Sequence, residues 1–294
     1  MQFRKIALVG VGLLGGSLAL AIRERELAVI VRGYVRRESS IVECARAGLN
    51  DFATLDLLEA VRDADLVILC TPLAQMKEIT QRLLSTLKRG AILSDVGSVK
   101  AGVIAELVPL VSGAGAHFVG VHPMAGAEKT GVLAARVDLF RNAVCVLTPA
   151  PDSNAEAVQQ VEKFWRTLGA RVVKLAPELH DELVARSSHL PHVVAAELAN
   201  QVLHPDLPAE QPVLCANGFR DTTRIASGSP EMWRDIALAN RAPLSRALGV
   251  FIDDLQQLQR ALESGDARAI EAFFTIAKER RDAWSAQAAS PSPE

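Results

Sequence analysis

No two cysteines fall at CxxC spacing: Cys44, Cys70, Cys145 and Cys215 are scattered, and no His/Cys cluster accompanies them at ligand spacing. This argues against a disulfide framework and against any metal site, and it fits a reducing, cytoplasmic compartment. Neither sign of charge is in excess, because 32 Lys+Arg face 34 Asp+Glu for a formal charge of -2. Nucleic acid and a membrane surface are therefore disfavoured as partners. Internal repeats and charge blocks are missing too. The uncharged run Ile6–Ile22, behind Arg4 and Lys5, falls short of the roughly 20 residues of a membrane span. With Ala19, Leu20 and Ala21 it imitates an export signal, but Gly10, Gly12, Gly15 and Gly16 suit a first strand and glycine turn better.

What is present is enough chain, 294 residues with 49% apolar content, for two domains with separate cores. Before about residue 176, short β-branched runs alternate with helical patterns: Ile6–Val9, Val29–Tyr34, Leu66–Cys70, Ala91–Ser94, Phe118–Val121, Ala143–Leu147 and Arg171–Leu175. Such alternation predicts βαβ units and an α/β fold with a mainly parallel sheet of Rossmann type. From Pro177 the spacing is helical over Glu178–Leu203, Met232–Ala261 and Ala267–Ala286. We expect domains at 1–176 and 177–285, the second all-α, then a disordered tail at 286–294 rich in small polar residues and proline. The broad stripe Leu244, Leu248, Phe251, Ile252, Leu255 and Leu258 offers more apolar surface than a small bundle hides, so a homodimer is expected through this half.

The start of the chain reads as a strand, a glycine turn and an apolar helix. Gly10 makes the turn, Gly12 lets the backbone approach a pyrophosphate, and Gly15 permits close packing of helix on strand, which predicts a dinucleotide cofactor. Leu13 and Thr71 are assigned to the same site. At the end of the second strand an NAD protein is expected to carry an acid for the ribose hydroxyls. Val35 stands there, followed by Arg36 and Arg37, whose guanidinium groups suit a 2′-phosphate. NADP is thus expected over NAD; otherwise the two arginines are only solvated surface charges.

Polar residues collect where a plain domain would hold packing residues. Ser98 and Lys100 follow a strand whose carboxyl end should border the ligand crevice, which puts Ser98 at the cofactor as well. His122, just past another strand, is the candidate acid–base, with Ser98 to orient it. His180 and Asp181 precede Ser188, His189 and His192; the two later histidines, three residues apart, share a helix face and suggest an anion site rather than a zinc pair. Loop arginines including Arg224 suit a carboxylate, with Trp233 as a flat apolar wall. Glu231 either faces a substrate ammonium or is a helix N-terminal acid held by the dipole; both readings stand.

Five segments, Gly10–Ser17, Asp95–Lys100, His122–Gly131, Ser188–His192 and Phe219–Arg224, together resemble the prephenate and arogenate dehydrogenase family of tyrosine biosynthesis, in family order and over nearly the whole chain. The resemblance implies a Rossmann-type domain, a helical dimerisation domain and oxidative decarboxylation of a cyclohexadienol, arogenate or prephenate, to a phenol. It makes His122 the base and Ser98 its hydrogen-bonding companion. It places a substrate carboxylate on Arg224, lines the pocket with Ser188, His189 and His192, and makes Glu128 and Asp221 a charged gate at a dimer interface. Two other classes share parts of this pattern. A β-hydroxyacid dehydrogenase or imine reductase would carry a catalytic Lys on the first long helix of its second domain, where Ser188, His189 and His192 stand instead; a non-catalytic NADP-sensing module would need neither His122 with Ser98 nor a convergent arginine.

Overall fold

A computed structural model describes residues 2–126 and 130–289. Its first part alternates strands and helices: β1 Phe3–Val9, α1 Leu13–Glu24, β2 Ala28–Tyr34, α2 Glu38–Arg46, β3 Ala53–Thr54, α3 Leu57–Val61, β4 Leu66–Leu69, α4 Leu73–Leu83, β5 Ile92–Asp95, α5 Ala101–Gly113, β6 His117–Pro123, β7 Val144–Thr148, α6 Ala155–Thr167 and β8 Arg171–Lys174. The strands form one sheet in the order β3-β2-β1-β4-β5-β6-β7-β8. Every neighbouring pair is parallel except β6 and β7. The chain order reverses beside β1, so the crevice expected of a doubly wound sheet opens there.

Burial on both faces explains why these strands read as unbroken apolar runs. Along β1, Ile6 and Leu8 enter one core while Ala7 and Val9 enter the other; β4 divides in the same way, with Leu66 and Ile68 against Val67 and Leu69. The seven strand runs in the sequence all form, and the eighth strand, β3, is new. It has two residues, too few to show a period, and is held by Gly33 N donating to Phe52 O and Val35 N to Thr54 O. The run Ile6–Ile22 is divided between β1, the glycine turn and α1. Among the described residues no helix is long and apolar enough to cross a membrane.

Helices follow: α7 Pro177–Val184, a π turn at Ala185–His189, α8 Leu190–Val202, α9 Asn217–Thr223, α10 Pro230–Ala239, α11 Arg241–Ser264 and α12 Ala267–Ala289. Three details differ from expectation. The helix expected over Met232–Ala261 breaks at Asn240, whose buried side chain bonds to α7 and to His189. The segment read as a loop around Arg220 is helical, as α9 and a 3-10 turn at Arg224–Ser227. Residues 286–289, expected in a disordered tail, are helical because α12 continues to Ala289, and the rest of the expected tail lies outside the described residues.

The chain forms two compact units, one running through Arg241 and one starting at Ala242, whereas the sequence pattern changes at 176/177. Composition marks where helices replace strands, but hydrogen bonds from Asp181 and Asn240 tie α7 to α10 into the sheet's own unit. In the second unit Ile252, Leu255, Leu262 and Phe274 of α11 and α12 are exposed. Under the sheet, Trp165 is buried edge-on against Phe140 and Phe164, with ring centroids 5.2 and 5.7 Å away. Trp165→Ala should lower the unfolding free energy by about 3–5 kcal/mol, measured by urea denaturation.

Candidate active site

Parallel pairing sets Val9 beside Tyr34 and Leu69, and Leu69 beside Asp95. The loops after β1, β2, β4, β5 and β6 therefore open on one edge of the sheet, bringing together Gly10, Arg36, Thr71, Ser98 and the neighbourhood of His122. Gly10 has φ +95°, and a Cβ there would lie 2.9 Å from the Cys70 carbonyl oxygen. A Cβ on Gly15 would collide with the Gly10 carbonyl, whereas one on Gly12 would meet nothing within 4 Å. Gly12 caps α1, a helix of 12 residues beginning at Leu13, with no side-chain cap hydrogen bond on its first-turn amides. Buried Thr71 Oγ1 has no partner among the described residues. These features fit the pyrophosphate of a dinucleotide. Val35 turns its side chain into the core and spends its N–H on Thr54, so only its carbonyl is left for a ligand. Arg36 and Arg37 are exposed beyond it.

Next along the edge, Asp95 and Lys100 form a fully buried ion pair. Asp95 also accepts from Gly97 N at 2.8 Å and Val121 N at 3.2 Å, fastening the Ser98 loop to β6. Burial lowers the Lys100 pKa, opposed by the Asp95 charge. His122, on β6, is 8% exposed, and its Nδ1 lies 2.8 Å from His180 Nε2. His180 Nδ1 in turn lies 2.8 Å from Asp181 Oδ1. The Asp181 carboxylate also accepts from Lys100 N at 2.8 Å and Ala101 N at 2.9 Å, at the start of α5. Ser98 was expected to orient His122; the neighbour of His122 Nδ1 is His180 Nε2. Ser98 is half-buried in the neighbouring loop. The pair His180 and Asp181 was visible in the sequence only as adjacent polar residues opening a helix, and Asn240 gave no signal at all.

The π turn rotates Ser188 and His189 out of α-helical register, as such turns often do at functional sites. His189 is 1% exposed, with Nδ1 3.0 Å from Asn240 Nδ2, and its buried Nε2 has no partner among the described residues. Half-buried His192 has Nδ1 2.9 Å from the Ser188 carbonyl oxygen and stacks on Trp233 at 3.7 Å between centroids. Trp233 also meets His189 edge-on at 6.1 Å, and its buried Nε1 has no partner among the described residues. Asp221, Arg224 and Glu231 are exposed. Glu231 occupies the first turn of α10, behind a Ser229 side-chain cap and Pro230. Glu128 lies outside the described residues.

Comparison with known proteins places this arrangement. Residues 18–174 match the family model "prephenate dehydrogenase, nucleotide-binding domain", and residues 176–276 match "prephenate dehydrogenase, dimerization domain". The chain belongs to the prephenate dehydrogenase family. It is 36% identical to prephenate dehydrogenase of Bacillus subtilis (strain 168), over 94% of this chain and 75% of that one. It is 35% identical to cyclohexadienyl dehydrogenase of Zymomonas mobilis, over 95% of each. Prephenate dehydrogenase of Aquifex aeolicus, solved with hydroxyphenyl propionate and NAD+, superposes with a TM-score of 0.86 at 30% identity, covering 95% of this chain and 98% of that one. Membership in the prephenate dehydrogenase family makes this chain an oxidoreductase with a nicotinamide cofactor and a dimerisation domain.

Two of the site's imidazoles are held neutral. Burial, followed by the neighbouring His180, Lys100 and His189, lowers the His122 pKa well below 6.5. Burial pushes His189 down to about 4, against the pull of Asp181. The unfolded chain takes up these protons near pH 6.5, the native state only at lower pH, so the unfolded state binds more protons between the two values. Stability should therefore be full above pH 6.5 and fall as pH drops towards 4. Calorimetry should show the melting temperature declining over that window, with a shallower decline in His189→Gln.

Proposed function

We propose that this chain oxidises a cyclohexadienol bearing a ring carboxylate, prephenate or arogenate, with NADP, and that carbon dioxide leaves as the ring becomes a phenol. The carrying observation is His122: a nearly buried imidazole, held neutral, whose Nδ1 is engaged by His180, leaving Nε2 for a substrate hydroxyl. A bound nicotinamide dinucleotide supplies the hydride acceptor. Gly10, Gly12, Leu13, Gly15, Thr71 and the Val35 carbonyl would hold it, and Arg36 and Arg37 would meet a 2′-phosphate.

His122 Nε2 takes the hydroxyl proton while the carbon beneath becomes a ketone. Ser98 donates to the same oxygen. The C–C bond to the carboxylate then breaks, its electron pair enters the ring, and aromatisation drives the step; the phenolate oxygen recovers a proton. The protein need only orient the reactants and supply one base. Arg224 binds a carboxylate of the substrate, while Ser188, His189, His192 and Trp233 line its pocket. The unpartnered His189 Nε2 and Trp233 Nε1 support this, since each is a buried group in want of a ligand atom. Glu231 is left with both readings, an ammonium contact or a helix-cap acid. The exposed apolar side chains of α11 and α12 support a homodimer, with Asp221 and Glu128 as its gate. Free cysteines at Cys44, Cys70, Cys145 and Cys215 accord with a cytoplasmic setting.

Production of reduced cofactor, followed at 340 nm with prephenate or arogenate, tests the reaction. His122→Asn should lower kcat by about 10²–10⁴-fold with KM changed only a few-fold; undiminished turnover would remove His122 as the base. Arg36→Asp should raise the KM for NADP by about 10–100-fold and leave that for NAD nearly unchanged. An equal change in both would remove the 2′-phosphate assignment.

A further inference from the structure

The buried row His122, His180, Asp181 has a direction. A carboxylate only accepts, so the Asp181 side chain requires the proton of His180 on Nδ1, 2.8 Å away. A neutral His180 then presents Nε2 as a lone pair, and the ring nitrogen 2.8 Å from it, His122 Nδ1, must be the donor. The proton of a neutral His122 is thereby committed to Nδ1 and its Nε2 is left basic. The rings cross at 77°, with both side chains nearly or fully buried, so water does not compete for these positions.

Asp181 itself cannot turn, because Lys100 N and Ala101 N bind its two oxygens and Asn240 Nδ2 binds its backbone carbonyl. We propose that His180 and Asp181 are positioning residues that set the tautomer of the catalytic base, His180 as the acceptor that claims Nδ1–H and Asp181 as the fixed carboxylate that gives His180 its orientation. This rests on the reading of His122 as the base. When His122 Nε2 takes the substrate proton, the resulting imidazolium keeps its Nδ1–H on His180, with the Asp181 charge one ring further away. The arrangement acts as the carboxylate of a Ser-His-Asp triad does, with one more imidazole inserted. The same carboxylate anchors the backbone two residues beyond Ser98, so base and Ser98 loop are referred to one point.

The direct test reads the tautomer without substrate, from long-range proton–nitrogen NMR spectra of the full chain labelled with ¹⁵N in histidine. In the unmodified protein His122 should show a protonated Nδ1 and a pyridine-like Nε2, and His180 the same. Asp181→Ala takes the acceptor away from His180 Nδ1 and should leave both rings as mixtures of the two tautomers, with kcat falling about a thousandfold or more and KM changing less than about threefold. His180→Gln, whose amide oxygen takes over as acceptor, should keep the His122 tautomer and retain kcat within about tenfold, whereas His180→Leu should lose both. A His122 proton on Nε2 in the unmodified protein overturns the proposal, as does an Asp181→Ala spectrum with both tautomers unchanged. Should Asp181→Ala fail to fold for want of its bonds to α5, the unmodified spectrum and the two His180 variants still decide. An expected tautomer together with an active His122→Asn would instead remove the base assignment and leave the tautomer relay standing.

Discussion

The site depends on one buried carboxylate. Asp181 accepts from two backbone amides at the start of α5 and faces His180, while its own backbone carbonyl accepts from Asn240. A buried carboxylate is costly unless its lone pairs are satisfied, and the first-turn amides of a 13-residue helix offset that cost. The loop carrying Ser98, the strand carrying His122 and the helix carrying His189 therefore share a single reference point. Moving the start of α5 would take two backbone donors from this charge.

A second buried pair, Asp95 with Lys100, does similar work one strand away. Its attraction is set against the cost of desolvating both groups, so its contribution lies less in net stability than in the loss on breaking it, about 3–5 kcal/mol for such pairs. With Gly97 and Val121 also bound to Asp95, the loop after β5 is held rigidly enough to present Ser98 in a defined place. The same dryness lowers the pKa of His122 and His189 and keeps both rings as neutral hydrogen-bonding groups. Structural cost and chemical use thus have one origin, the exclusion of water.

Much of the architecture was legible because it repeats. β1 and β4 are buried on both faces and read as unbroken apolar runs, and Gly10 and Gly15 stand where a Cβ would collide with backbone in the turn between β1 and α1. The dinucleotide turn was legible for that reason; His122, expected just past a strand, lies within β6. β3 was illegible at two residues. The break at Asn240 was hidden because the apolar spacing of α10 continues into α11; a polar side chain bonded to residues far away in sequence ends the first helix. The π turn was hidden as well, since Ser188, His189 and His192 fit an α-helical face on paper. Composition changes at 176/177, where the two family models also meet, while bonds from Asp181 and Asn240 join α7 to α10 to the compact unit that runs through Arg241.

By itself the sequence determined the alternation of elements, the dinucleotide turn, the candidate base and the motifs whose order marks the family. These are local: each is a period, a spacing or a residue type within a few positions. Tertiary structure alone decided the partner of His122. His180 stands 58 residues away, Asp181 meets the backbone of Lys100 across 81 residues, and Asn240 returns from another helix to bind Asp181 and His189. No local pattern encodes such meetings, because the directional hydrogen bonds that select them exist only once the sheet and helices have packed and water has left the space between.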